Sequence, residues 1–185
     1  MAARRDVVWG MGGDTGWSRV LPASGLGGLA LEGPWRRMGD TIAVESPGGT
    51  AWLRLGAEDW ADYEIAVKIR PTGGGNVQIP IRVSPDGSRR YLVDLLLGWK
   101  AIAVSRVDAS PGGGGLLKLS VVNADLERGR EIDLEIAVRG ASITTYIEGA
   151  LMNQVTDAAY PRGTAALSVW QASAEFRDLR IRRLA

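Results

Sequence analysis

Three carboxylates recur at every second position in Glu131-Ile132-Asp133-Leu134-Glu135. Alternate side chains of a β-strand leave on the same side, so Glu131, Asp133 and Glu135 share one face if this segment is extended. A carboxylate pair can open a glycosidic bond when one member attacks or stabilises the sugar carbon and the other, kept protonated, donates to the leaving oxygen. Residues four apart on a strand are ~13 Å apart at Cα. Glu131 and Glu135 would therefore have to lean together, helped by a curved sheet, to approach the ~5–5.5 Å of a retaining pair. The 185 residues include no His and no Cys. This removes imidazole bases, thiol nucleophiles, disulfides and the usual nitrogen or sulfur zinc sites.

Binding a sugar without cutting it needs less. An exposed ring stacks on the apolar face of a pyranose, and a few planar polar groups meet its hydroxyls. The chain has 7 Trp and 4 Tyr against a single Phe, a balance that favours amphipathic aromatics near the surface. In Leu167-Ser168-Val169-Trp170-Gln171, an inward Leu167 and Val169 send Ser168 and Trp170 outward. Trp99 follows Gly98 at an expected turn. Arg70, Arg82, Arg139, Asn76, Gln78 and Gln171 are the candidate polar contacts.

The elements that must position these side chains read as strands. In Tyr63–Arg70 the residues Tyr63, Ile65, Val67 and Ile69 alternate with Glu64, Lys68 and Arg70, and Glu131–Arg139 repeats the pattern. Such alternation gives one buried and one wet face. Further strands are expected near 41–45, 50–55, 76–83, 90–96, 99–107, 116–123, 142–148, 151–156, 163–170 and 173–182. Breaks are expected at Pro47-Gly48-Gly49, Pro71 with Gly73-Gly74-Gly75, Pro85-Asp86-Gly87, Gly112 to Gly115 and Pro161-Arg162-Gly163, because Pro presets φ and Gly accepts positive φ. About a dozen strands without an amphipathic helix predict an all-β, two-sheet antiparallel jelly-roll sandwich. Residues 31–185 form that domain, and residues 1–30, with Trp9 and Trp17 among glycines, read as an N-terminal arm or lead-in.

The C-terminal third carries a resemblance. Ile143-Thr144-Thr145-Tyr146-Ile147-Glu148-Gly149, Thr156-Asp157, Tyr160-Pro161-Arg162-Gly163 and Ala174-Glu175-Phe176-Arg177-Asp178-Leu179-Arg180-Ile181 resemble the close of concanavalin A-like, laminin G-like jelly rolls. The layout is most similar to the bacterial 3-keto-disaccharide hydrolase, or family-16-glucanase-like, branch. Gly33-Pro34-Trp35, Asp62-Tyr63-Glu64, Gly75-Asn76, Ile81-Arg82 and Tyr91-Leu92-Val93-Asp94 follow it upstream. The resemblance implies a site around Tyr91 and Asp94, with Leu92 standing where that branch has an acidic residue. Glu131-Ile132-Asp133-Leu134-Glu135 is likewise similar to the E-x-D-x-E signature of family 16 glycoside hydrolases, whose two Glu are nucleophile and acid. Laminin G-like jelly rolls often hold Ca²⁺, for which Asp86, Asp108, Asp157 and Asp178 are candidates, but no compact calcium loop is present.

These readings favour a non-catalytic carbohydrate-binding module without a cofactor or metal, its site drawn from Trp170, Trp99, Arg82, Tyr91, Asp94 and Gln171. The alternatives are an assembly domain whose arm docks on a partner protein or a second copy, and a glycoside hydrolase using Glu131 and Glu135. Charge is balanced at +1, and Glu175 and Asp178 interrupt the basic cluster of Arg177, Arg180, Arg182 and Arg183, which argues against nucleic acid. No export signal or membrane-spanning run is legible, so a cytoplasmic location is the default expectation.

Overall fold

A computed structural model describes residues 10–11, 16–20, 26 and 31–184. Its strands are β1 (Gly10–Met11), β2 (Ser18–Arg19), β3 (Leu31–Glu32), β4 (Arg36–Met38), β5 (Thr41–Leu55), β6 (Tyr63–Ile81), β7 (Arg89–Leu96), β8 (Ala101–Asp108), β9 (Gly115–Asn123), β10 (Ile132–Arg139), β11 (Ser142–Ile147), β12 (Ala150–Thr156) and β13 (Ala165–Arg183). A 3₁₀ turn, Leu97–Trp99, joins β7 to β8. The chain is an all-β antiparallel jelly roll, as its alternation predicts.

Three strands are longer than expected. Pro47-Gly48-Gly49, Pro71 with Gly73–Gly75, and Gln171 do not end strands; they crease β5, β6 and β13 along one line. Thr50 pairs with Trp170 and Ser46 with Ala172, so three residues of β5 bulge opposite Gln171. Across the other side, Asn76 pairs with Trp170 and Gly74 with Ala172. Gln171 has φ 49° and Gly74 φ 75°, and a Cβ on Gly74 would come within 2.2 Å of the Gln171 carbonyl oxygen. Bulges re-aim strands and form corners where a strand passes from one sheet to another. Hydrogen bonding is therefore continuous through strands that contribute to both layers.

In the first layer, residues 41–46, 172–183 and 63–71 of these strands continue into β10, β11 and β12. In the second, residues 50–55, 165–170 and 76–81 continue into β7, β8 and β9, with β3 on the far edge. The core between them holds the inward residues of both, including Tyr63, Ile65, Leu134, Val93, Leu167 and Phe176. Trp35 stands 5.8 Å from Phe176, and Trp60 5.5 Å from Tyr63, centroid to centroid. Burying such rings supplies the main driving force for closing the sandwich.

Part of the expected arm is itself sheet. Ser18 and Arg19 pair with Ile181 and Arg180, and the Val20 N–H donates to the Leu179 carbonyl at 3.0 Å. Trp17 lies beneath the Arg180 and Arg182 guanidiniums, 5.6 and 4.8 Å from its ring centre. Trp9 and most of residues 1–30 lie outside the described residues.

Candidate functional site

On β7, Tyr91, Val93 and Leu95 enter the core, which turns Arg90, Leu92, Asp94 and Leu96 to the outer face of the second layer. On β13, the inward Ala165, Leu167 and Val169 leave Thr164, Ala166, Ser168 and Trp170 facing the same way. Register lines these up: Trp52 opposite Ser168, Ser168 opposite Gln78, Gln78 opposite Asp94, and Asp94 opposite Ala103. One rung away, Thr50 faces Trp170 and Trp170 faces Asn76.

The middle of this outer face is recessed. Ser168 is 0% exposed, Ala103 1% and Asp94 8%, whereas Trp170 at 46% and Trp99 at 69% project beyond them. Asp94 Oδ2 accepts long hydrogen bonds from Asn76 Nδ2 and Gln78 Nε2, both 3.4 Å. Its other oxygen, Oδ1, is buried and takes no partner among the described residues. Burial pushes the Asp94 carboxyl up to about 6, only partly offset by the Gln78 and Asn76 bonds and the charge of Lys118. Arg90 Nε, Thr164 Oγ1 and Ser168 Oγ are also buried without partners. Buried polar atoms are normally satisfied. Among the described residues five are not, and four of these lie on this one face.

The site residues expected from sequence divide into two groups. Trp170 and Asp94 share the recessed face. Trp99 projects from the turn after β7, with Lys118 Nζ 4.2 Å above its ring, and Gln171 sits exposed at the crease beside Trp170. Arg82 and Tyr91, by contrast, are structural. Arg82 is 1% exposed and donates to the carbonyls of Ala61 (2.9 and 3.2 Å) and Tyr160 (3.2 Å) and to Asp62 (3.3 Å). A buried guanidinium needs such acceptors, and at this burial the side chain is closed off from a ligand. Tyr91 faces the core, and its hydroxyl donates to Asp157 Oδ1 at 2.6 Å; burial, and then this bond, push that hydroxyl up to about 12.

Two of the residues expected to help, Asn76 and Gln78, do flank Asp94. The reading missed Trp52, Arg54, Arg90 and Thr164. The signal was present in Ala51-Trp52-Leu53-Arg54-Leu55, whose inward Ala51, Leu53 and Leu55 force Trp52 and Arg54 outward.

Glu131, Asp133 and Glu135 do share a wet face, but it belongs to the first layer, and two of its three carboxylates are matched with cations. Glu131 pairs with Arg177, and Asp133 with Lys68 at 3.2 Å. Nearby Glu64 takes Arg139 and Arg182; although burial opposes it, those guanidiniums hold its carboxyl below the usual range. Clefts of about 340 and 440 Å³ on this side are lined by these ion-paired residues, with Glu135, Tyr146 and Trp17 at the rim of the smaller.

The four calcium candidates are likewise occupied by protein groups. Asp86 accepts from Ser84 and Ser88, which hold it down at about 2. Asp108 takes Ser110, Asp157 takes Tyr91 and Arg106, and Asp178 lies beside Arg19 and Arg180. Among the described residues no three carboxylates converge.

Comparison with known proteins agrees with this architecture. The carbohydrate binding module CBM66 from Bacillus subtilis superposes with a TM-score of 0.73 at 17% identity, over 91% of this chain and 96% of that one. The Caenorhabditis elegans galectin LEC-6 superposes at 0.51 and 10% identity, over 73% and 94%. In sequence, an extracellular exo-α-L-arabinofuranosidase of Streptomyces chartreusis is 26% identical over 120 residues, 64% of this chain but only 14% of that enzyme. The model of the 3-keto-α-glucoside-1,2-lyase-like domain matches residues 15–182, and the chain belongs to that family.

Proposed function

We propose that this domain binds carbohydrate, without cleaving it, on the outer face of its second layer. The observation that carries the reading is the gathering of unpartnered buried polar atoms, Asp94 Oδ1 and Ser168 Oγ, on the face from which the ring of Trp170 projects. Sugar hydroxyls both donate and accept, so they can satisfy a carboxylate and a hydroxyl together, while a pyranose face stacks on indole. The likeness in fold to a carbohydrate binding module and a galectin supports the same reading.

A second reading rests on Asp94 itself. A carboxyl raised to about 6 beside a polar recess is suited to act as a general base, and the family is named for a 1,2-elimination on a 3-keto glucoside. Such a step would remove the C2 proton to the base, form the C1–C2 double bond and expel the C1 oxygen substituent. The apolar Leu92 beside Asp94 leaves this base without a carboxylic acid neighbour on its strand to protonate the leaving oxygen, which favours binding over turnover.

A glycan array probed with wild type, Trp170→Ala and Asp94→Asn, with a 3-keto glucoside incubated in parallel, separates the readings. Binding that drops about tenfold or more in both variants, with no product from the 3-keto glucoside, is expected. Product formed by wild type and lost in Asp94→Asn would establish the elimination instead. No bound glycan and no product would overturn both.

A further inference from the structure

Two guanidinium groups lie over the ring of Trp52. Arg54 Cζ is 5.7 Å and Arg90 Cζ 5.1 Å from its ring centre. Several other arginines of this protein are matched with acids, as in Arg70 with Glu175, Arg106 with Asp157, and Arg139 and Arg182 with Glu64. Neither Arg54 nor Arg90 forms an ion pair among the described residues.

The acids within reach are engaged otherwise or stand apart. Asp86 is held by Ser84 and Ser88, Asp94 by Asn76 and Gln78, and Glu32, opposite Trp52 on the β3 rung, forms no ion pair with either guanidinium.

The two cations are nevertheless held in place. Arg54 Nη1 donates to the carbonyls of Ser84 and Pro85, both 3.4 Å, and Arg90 Nη1 to that of Gly87 at 2.8 Å. The turn 84–88 thus fixes both side chains through backbone carbonyls. Gly87 has φ 76°, and a Cβ there would meet Arg54 Nη2 at 2.9 Å, so the close approach depends on glycine. Burial, and then the charge of Arg54, lower the pKa of Arg90 below the ordinary arginine value, showing that the pair is assembled against desolvation and repulsion. Arg90 Nε remains buried and unbonded.

A guanidinium presents a planar fork that matches a carboxylate or sulfate, and stacking on an indole holds that fork in orientation. We propose that Arg54, Arg90 and Trp52 form the anion-reading end of the glycan site, and that its ligand carries a uronate carboxylate or a sulfate ester. This rests on the carbohydrate reading above and names the class of glycan. Trp170 is level with Thr50, four residues from Arg54 along β5, or ~13 Å. The charged sugar and the one stacked on Trp170 are then different residues of one chain.

The test is a glycan array holding neutral, uronate-bearing and sulfated members. It is followed by calorimetric titration with polygalacturonate against fully methyl-esterified pectin, and with dextran sulfate against dextran. Wild type should prefer an anionic glycan over its neutral counterpart by about tenfold or more. Arg54→Gln/Arg90→Gln should lose that preference while keeping its near-ultraviolet circular dichroism, with the single variants read in its place if the pair unfolds. Preference for polygalacturonate assigns a carboxylate, and preference for dextran sulfate a sulfate. Exclusively neutral binders, or a preference that survives both substitutions, would overturn the anion assignment and leave the carbohydrate reading standing. Binding to no glycan of any class would overturn both.

Discussion

Gln78 Nε2 donates to Asp94 Oδ2 across the β6–β7 rung at 3.4 Å, while the second oxygen of the same carboxylate is buried and without a partner among the described residues. A half-satisfied carboxylate in a recess is costly when charged. That cost makes Asp94 the residue through which pH should act.

Because the folded-state value of Asp94, about 6, lies above its ordinary 3.8, the folded chain binds more protons than the unfolded one between these values. Stability contributed by this group is present below about pH 4 and is lost as pH rises to about 6, by up to about 3 kcal/mol. Urea unfolding from pH 4 to 7 should show this decline in wild type and its absence in Asp94→Asn. Sugar binding should run the other way, strengthening as the carboxylate ionises and can accept from a hydroxyl. A wild-type stability profile that tracks that of Asp94→Asn would show the carboxyl to be unperturbed.

Arg82 should behave as a structural residue. Replacing it with Met leaves Asp62 and the carbonyls of Ala61 and Tyr160 without their donor, at a cost of about 2–4 kcal/mol. Chemical denaturation should report that loss, whereas the folded fraction of Arg82→Met should bind glycan as wild type does. A stable variant with selectively lost binding would return Arg82 to the site.

Gly74 tests the crease. Its positive φ and a Cβ position 2.2 Å from the Gln171 carbonyl oxygen leave no room for a side chain, so Gly74→Ala should destabilise by at least about 2 kcal/mol. Since Gln171 follows Trp170, the same substitution should weaken glycan binding even where the protein remains folded. A Gly74→Ala protein with wild-type Tm and affinity would show that the crease tolerates a wider approach.

Much of the second layer's outer face was legible in the chain. The alternation through Leu167, Ser168, Val169 and Trp170 places Trp170 outward, and Trp170 is half exposed. The same rule applied to Trp52 and Arg54 would have found the other end of the face. Arg82 and Tyr91 could not be sorted this way. Arg82 follows the inward Ile81 but has φ 48°, which breaks the alternation and turns a charged side chain into carbonyl acceptors supplied from 21 and 78 residues away. Tyr91 does alternate inward, yet its polar hydroxyl gave no sign that Asp157, 66 residues on, would receive it.

Sequence alone determined the class of fold, because a period-two pattern punctuated by Gly and Pro can bury one face only as sheet. It also determined what the chemistry cannot be, since a chain without His or Cys has no imidazole or thiol to offer. Tertiary structure decided where the strands bend and which carboxylates matter. Pro47–Gly49, Gly73–Gly75 and Gln171 become one crease only when β5, β13 and β6 lie side by side. Glu131 and Asp133, prominent as a motif, are neutralised by Arg177 and Lys68, whereas the solitary Asp94 is desolvated and left half bonded. The physical reason is common to both outcomes: a charge's chemistry depends on its solvent and its partners, and both are set by residues distant along the chain.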